Sequence, residues 1–249
     1  MHLRNYSQYS LSKGALRINE LVNFCKSQSI PAAAISDFNN LFGSLEFCIE
    51  CVKSGIQPII GVNVLLKNDG FHDGNVLLLC KSEEGYQNLV KLVSRAYLFN
   101  SKIYDPHINL NDLKIYRKGL ICLAGGQFGL LTNNFKDSQN LSDTLLNYFI
   151  SNFEDNFFLE IQRYKSHKKQ NLENYIIDES IKREIPIVAT NENFYLDRNF
   201  FKTHDALLSI AQQKYIESDD RLKSSEEFYL KSVEEMKNLF SDIPEVIEN

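Results

Sequence analysis

Apolar positions along this chain fall into two alternating patterns. Short, nearly continuous runs read as buried strands: Ala32–Ile35 (AAAI), Pro58–Leu66, Asn75–Cys80 (NVLLLC), Gly119–Ala124 (GLICLA), Phe157–Gln162 and Ile185–Thr190 (IPIVAT). Between them apolar residues recur every three or four positions, which predicts helices. The sets are Leu16, Ile18, Leu21, Val22 and Cys25; then Leu41, Leu45, Cys48, Ile49 and Val52; then Tyr86, Leu89, Val90, Val93 and Tyr97 within Glu83–Phe99. Leu141–Phe153, Leu172–Lys182 and Phe201–Ala211 read the same way, while Ile103–Lys118 is polar and irregular. Met1–Tyr6 can supply a further short strand. Strands alternating with amphipathic helices predict a parallel sheet with crossovers, and about seven strands in one chain predict a closed or nearly closed α/β barrel.

The clearest single unit is Ala32–Gly61, a βαβ segment. Its first strand ends at Asp37, Phe38-Asn39-Asn40 forms a turn, Gly55 stops the helix and Pro58 opens the next strand. A polar loop at the C-terminal end of a parallel strand is where α/β folds place their sites, so Asp37 and its neighbours are the first place to look for chemistry.

Composition narrows the function classes. A chain of 249 residues with 43% hydrophobic content can bury a large core, and its net charge of −5 argues against a free-standing duplex DNA binder. No apolar run approaches the ~18 residues of a membrane span, and MHLRNYSQYS has no signal-peptide core, so the expectation is a soluble cytoplasmic protein with no membrane partner. The five cysteines are odd in number and lie within predicted helices and strands, as reduced packing thiols do. Cys48-Ile-Glu-Cys51 has redox spacing, but it falls late in an amphipathic helix with no second pair. The final segment, Ile243-Pro244-Glu245-Val246-Ile247-Glu248-Asn249, reads as the start of an uncapped helix, as if the chain belonged to something longer.

Candidate chemistry is sparse. Ser10-Leu-Ser-Lys13 fits the acyl-transfer SxxK pattern without its companion motifs. Gly125-Gly126-Gln-Phe-Gly129 could cradle a phosphate, but a plain strand-to-helix turn explains it as well. Two formal glycosylation sequons, at Asn5 and Asn140, have no meaning in a cytoplasmic chain. His2, His72, His107, His167 and His204 are scattered, with no close HxH or HxxxH pair. Asp37, Glu160 and Glu192 stand at predicted strand ends; together they could bind Mg²⁺ or Mn²⁺, whereas pairing with Arg4 or Lys13 would leave them structural.

Several stretches taken in order nevertheless form a pattern: HLRNYSQYSLSKGA, ISDFNNLFGSLEF, GIQPIIGVNV, LLLCKSEEGYQNLVKL, FFLEIQ, IVATNENFY, THDALL and FSDIPEVIEN. Together they resemble the N-terminal PHP (polymerase and histidinol phosphatase) domain of bacterial replicative polymerase alpha subunits, over residues 1–249. The resemblance implies a distorted seven-stranded (β/α) barrel of TIM-barrel-like form, with residues from about 228 to 249 leading toward a polymerase palm region. In active members the domain carries a metal cluster that hydrolyses phosphoesters.

Carried over residue by residue, that cluster fails. The HLHxH opening stands here as His2-Leu3-Arg4-Asn5-Tyr6, placing Arg4 and Tyr6 where two ligand histidines belong. The acidic residue of the following turn is Lys13. The TDH motif reads Ser36-Asp37-Phe38, and Asn63, Asn75 and Gly126 replace a glutamate, a histidine and a cysteine. The late Asp-x-His pair is Glu192-Asn193-Phe194, which leaves Glu192 as the one chemically similar survivor. A slip in register could bring His72 to the position of Asn75.

The resemblance therefore implies a domain without its own catalytic residues or bound metal, with Arg4, Asp37, Glu160 and Glu192 as a possible residual polar cluster. Arg4 would then pair with Asp37 or Glu192 and supply the missing positive charge. Mg²⁺ would be needed only by a polymerase region absent from these residues. The implied partners are the remainder of the polymerase chain and a proofreading exonuclease subunit, epsilon, with DNA met only through the full-length enzyme. The alternative is a metal-dependent phosphoesterase or 3′–5′ exonuclease using Asp37, Glu160 and Glu192.

Overall fold

A computed structural model describes residues 1–98, 106–135, 138–164 and 170–249. Its centre is a curled six-stranded sheet in sequence order: β1 (Ala32–Ile35), β2 (Gln57–Leu66), β3 (Gly74–Cys80), β4 (Leu120–Ala124), β5 (Phe157–Ile161) and β6 (Ile187–Ala189). Around it lie α1 (Ile18–Ser27), α2 (Ser44–Lys53), α3 (Glu83–Leu98), α4 (Leu110–Tyr116), α5 (Leu130–Phe135), α6 (Gln139–Phe153), α7 (Gln170–Arg183), α8 (Phe201–Ala211), α9 (Val233–Leu239) and α10 (Glu245–Glu248).

The expected parallel sheet is only partly present. β1 pairs parallel with β2, and β4, β5 and β6 are parallel, but β3 runs antiparallel to both its neighbours. The Lys67–Asp73 connection between β2 and β3 is too short for a parallel crossover, so a hairpin-like reversal is the available geometry. Nor does Met1–Tyr6 form a seventh strand. It contributes an isolated bridge, Asn5 to Asn193, with Tyr6 N–H donating to the Asn193 carbonyl at 2.9 Å and Ser36 N–H donating to the Asn5 carbonyl at 3.0 Å. That short segment links the end of β1 to the segment after β6.

Strand alternation sorts the side chains onto two faces. Cys122, Ala124, Phe157, Leu159, Ile161 and Ile187 pack outward with Leu145, Leu146 and Phe149 in the main core, where the Phe149 and Phe157 rings stack at 5.2 Å. Leu77, Leu79, Leu123 and Val188 form a separate cluster with Leu3 and Phe158. Glu160, two residues past Phe158, lies outside both clusters and is fully buried.

Two helices turn differently from the predicted stripes. On α2 the buried residues are Ser44, Phe47 and Cys51, while Leu45, Ile49 and Val52 are exposed, as is Phe42 just before it. The bulk of Phe47 wins the inward face. On α3, Gly85, Leu89, Leu92 and Ala96 face inward and Tyr86, Val90 and Tyr97 are left at the margin. A side chain at Gly85 would run into the Gly119 carbonyl, so this helix can only seat itself through its glycine. The stretch expected to be irregular contains α4, started by a reciprocal cap between Asn109 and Asp112; residues 103–105 lie outside the described residues, as do Phe99 and His167. The cysteines are free, and Cys51 is buried with its thiol pushed up to about 12 by burial, so the CxxC pair is packing rather than redox chemistry.

Candidate functional site

The C-terminal ends of β5 and β6, with Asn63 from β2, converge on Arg4. Its guanidinium is buried and grips Glu160 through both nitrogens of one edge, Nε to Oε1 at 2.7 Å and Nη2 to Oε2 at 2.6 Å. Nη1 donates to the Tyr6 hydroxyl at 3.1 Å and to Asn63 Oδ1 at 3.3 Å, and lies 3.8 Å from Glu192 Oε1. Asn63 also donates to the Tyr6 hydroxyl at 3.0 Å. On the far side, the Thr190 hydroxyl donates to Glu160, and the Gln162 amide donates to both Thr190 and Glu192. The result is a closed circuit around one cation. Burial works against the charge on Arg4, but Glu160, Tyr6 and Glu192 outweigh it and raise its pKa further. The Tyr6 hydroxyl is held far above its ordinary value by burial and by Glu192.

Of the two partners expected for Arg4, Asp37 or Glu192, Glu192 lies within ion-pair reach at 3.8 Å, whereas Asp37 does not join this circuit. Its carboxylate accepts from Ser7 N–H at 2.7 Å, from the Ser7 hydroxyl at 2.8 Å and from the Ser10 hydroxyl at 2.6 Å. Three local donors from the N-terminal turn satisfy it more cheaply than a guanidinium could. Its pKa is nonetheless raised, because burial outweighs those bonds. Ser10, the would-be SxxK nucleophile, is thus a positioning hydroxyl.

Beside the polar circuit lies an aromatic wall. Tyr6 stacks on Phe38 at 4.5 Å and meets Phe194 at 4.6 Å, and Phe194 in turn packs on Phe228 and His204. Lys13 reaches over the Phe38 ring at 4.4 Å instead of pairing with a carboxylate. His204 is buried between the Lys13 carbonyl, at 2.7 Å from Nε2, and the Ser224 hydroxyl, at 2.6 Å from Nδ1. Because a carbonyl can only accept, Nε2 carries the hydrogen.

Gly126 lies against the guanidinium: a side chain there would meet Arg4 Cζ and Nη2 at 3.2 Å. Asn75 sits at the start of β3, its N–H donating to the Phe128 carbonyl, and the backbone of His72 is held by Asn134. Sequence reasoning missed Gln162 and Thr190. Gln162 was findable, since it follows Glu160 by two residues and so shares its face of the strand.

The PHP domain profile matches residues 2–164. The chain belongs to the PHP domain family. Curated relatives include the DNA polymerase III subunit alpha of Rickettsia conorii, 37% identical over 254 residues, and those of Borreliella burgdorferi and Helicobacter pylori, at 35% and 34%. Each match takes in all of this chain but only 21–23% of the relative, so the PHP chain spans about one fifth of their length. Among solved structures, a putative metal-dependent phosphoesterase from Bifidobacterium adolescentis superposes with a TM-score of 0.54 at 9% identity, over 76% of this chain and 86% of the other. An amidohydrolase from Chromobacterium violaceum gives 0.53 at 12%, over 78% and 87%. At such identities the likeness is one of fold.

A metal cluster of the family's kind does not fit the residues present. Among the described residues no group of three or more His, Cys, Asp or Glu side chains is arranged to hold an ion. Glu160 is engaged by Arg4 on both oxygens, and Asp37 by Ser7 and Ser10. Glu192 Oε2 is buried without a donor, an opening for one positive contact but not for a cluster. No helix among the described residues is long and apolar enough to cross a membrane.

Proposed function

We propose that this PHP domain is the non-catalytic N-terminal part of a DNA polymerase III alpha subunit, acting in DNA replication as a folded platform for the rest of the polymerase chain and for a proofreading exonuclease subunit. The observation that carries the reading is the two-pronged Arg4–Glu160 pair at the point where the family's chemistry would take place. A guanidinium bound on both carboxylate oxygens occupies a candidate metal ligand and adds a repelling charge in one step. The similarity to alpha subunits along the whole chain supports the polymerase assignment. Polymerisation itself, with its Mg²⁺, belongs in this reading to the part of the relatives that this chain does not match.

The test is a pull-down of the chain with the cognate exonuclease subunit, with transition metal measured in the same preparation. Co-purification with the subunit and no metal supports the platform; bound metal after purification without added metal overturns the inactive site. The exposed apolar residues Leu45, Ile49 and Val52 on α2 are the first positions to vary in mapping such an interface. The rival phosphoesterase reading requires Asp37, Glu160 and Glu192 to act together. It would be upheld by Mn²⁺-dependent turnover of a chromogenic phosphodiester that Glu192→Ala abolishes.

A further inference from the structure

We propose that the outer face of α2 is a self-association surface, on which a second copy of this chain seats its own α2 in the antiparallel direction. That face is built from residues outside the circuit around Arg4, so the association stands whatever that circuit does.

Single exposed apolar side chains are ordinary; a row of them along one helix is not. Phe42, Leu45, Ile49 and Val52 follow one another at helical spacing and are 62%, 72%, 45% and 70% exposed, which makes them one ridge. The core cannot draw this ridge inward, because Phe47 and Cys51 are fully buried and already occupy the inward face of the same helix. Beside the ridge lies a groove of about 490 Å³, lined by Leu45 and Cys48 of α2, Tyr86 of α3, and Pro58, Ile59 and Ile60 of β2. β3 pairs with β2 only from Gly61 onward, which leaves the start of β2 without a strand neighbour on that side among the described residues. Pro58 has no N–H to offer an added strand there, so the groove suits a helical ridge better than an extended peptide.

Ridge and groove side by side make a surface complementary to itself. A two-fold axis between two copies lays each ridge against the other's groove, with every contact made twice. Charge selects the direction. On the flank of the ridge away from the groove, Glu46 and Glu50 come first and Lys53 last. Antiparallel helices bring these flanks together in reverse order, so Lys53 of each copy lies toward Glu46 of the other. A parallel pair would instead set the charged flank against the groove. Within one copy Lys53 reaches Glu50 at 2.8 Å with both side chains partly exposed, and such a pair is easily given up. The face is smaller than the ~20–30 residues a side of a standard interface, so the dimer forms and dissociates with concentration.

Sedimentation equilibrium of the 249-residue chain from ~5 to ~500 µM is the test. Wild type should move from one chain mass toward two across this range, while Leu45→Lys, at an exposed position, stays at one throughout. Charge reversal tests the direction: Lys53→Glu and Glu46→Lys/Glu50→Lys should each associate about tenfold more weakly than wild type, and an equimolar mixture of the two should regain at least the wild-type strength. Glu46 accepts from the Tyr9 hydroxyl at 2.6 Å, so Glu50→Lys replaces the double variant should the latter not fold. A wild type of one chain mass at ~500 µM overturns the proposal, as does a dimer that Leu45→Lys leaves unchanged. A mixture no stronger than its components overturns the antiparallel seating. Because this face is also the first to vary for an exonuclease subunit, the same variants enter the pull-down. If Leu45→Lys abolishes capture of that subunit while wild type alone stays at one chain mass, self-association is overturned and the platform reading stands. If wild type dimerises and neither protein captures the subunit, self-association stands and the platform reading fails.

Discussion

Two sides of one buried region, a polar wall and an aromatic wall, are held together in opposite ways. On one side, Arg4, Glu160, Asn63, Gln162, Thr190 and Glu192 are joined by hydrogen bonds and charge. On the other, Tyr6, Phe38 and Phe194 abandon polarity and fill the space with stacked rings. Tyr6 belongs to both, its hydroxyl in the circuit and its ring in the stack. The difference follows from what surrounds each wall. Glu160 is anchored at the buried end of β5, so its charge must be answered in place, whereas positions 38 and 194 carry rings with no charge to answer.

If the polar wall is held by charge, breaking it should cost most. Arg4→Met keeps volume but leaves Glu160 and Glu192 buried without their cation, and a loss of ~3–5 kcal/mol is expected for such a break. That corresponds to a Tm fall of roughly 10 °C for a chain of this size. Adding Glu160→Leu should restore much of it, because replacing both partners by apolar groups removes the uncompensated charge. Urea melts of the single and double variants decide the matter. A single variant within 1 kcal/mol of wild type would show that the circuit contributes shape and little else.

How much of this was legible in the sequence differs between the walls in the same way. The aromatic wall was visible as residue types, because the resemblance had already singled out Tyr6, Phe38 and Phe194, and rings at buried positions pack. The polar wall could not be read completely. Which carboxylate Arg4 would take depends on the depth of each strand end, and Ser7 and Ser10 had already satisfied Asp37. At the level of the fold, six strands were visible as apolar runs, since a run needs only burial on both faces. The direction of β3 was not, because direction is set by connection length and packing rather than by the run itself. The facing of α2 was missed for a related reason: its sequence offers two apolar stripes, and the choice of Phe47 over Leu45 is made by the core it meets.

Acid should separate the walls next. His204 lies against Phe194 and is held neutral by burial, with Asp205 the charged neighbour that opposes the shift, so its pKa is lowered. His2, bonded to the Lys231 carbonyl, is lowered to about 4 by burial; the N-terminal ammonium and Lys231 push the same way, and Glu235 against. For both residues the unfolded chain takes up protons first, so stability is complete above about pH 6.5 and falls as pH drops toward 4. The His2 shift alone is worth up to about 3 kcal/mol. Urea midpoints across this window should decline in wild type and decline less steeply in His2→Gln, where His204 alone remains.

Tyr6→Phe sharpens the comparison at the shared residue. It leaves the stack and withdraws the acceptor for Arg4 and Asn63, so a loss of about 1–2 kcal/mol is expected. Circular dichroism in the aromatic region should be little changed while the melting midpoint moves, since the ring packing is retained.

The smallest expected effect concerns Lys13, the residue whose role differs most from its place in the family pattern. At an acidic ligand position it could act by repelling a cation or by covering the plug. Its ammonium stands 4.4 Å above the Phe38 ring, which favours the second. A partly exposed contact of this kind is worth ~0.5–1 kcal/mol, so Lys13→Ala should lower Tm by only about 1–4 °C. If the contact is with the ring, the loss should vanish beside Phe38→Ala. If Lys13 instead acts on the polar wall through its charge, the loss should persist in that background and vary with salt. The double-variant cycle thus decides whether the lysine belongs to the aromatic wall or to the electrostatics of the circuit around Arg4.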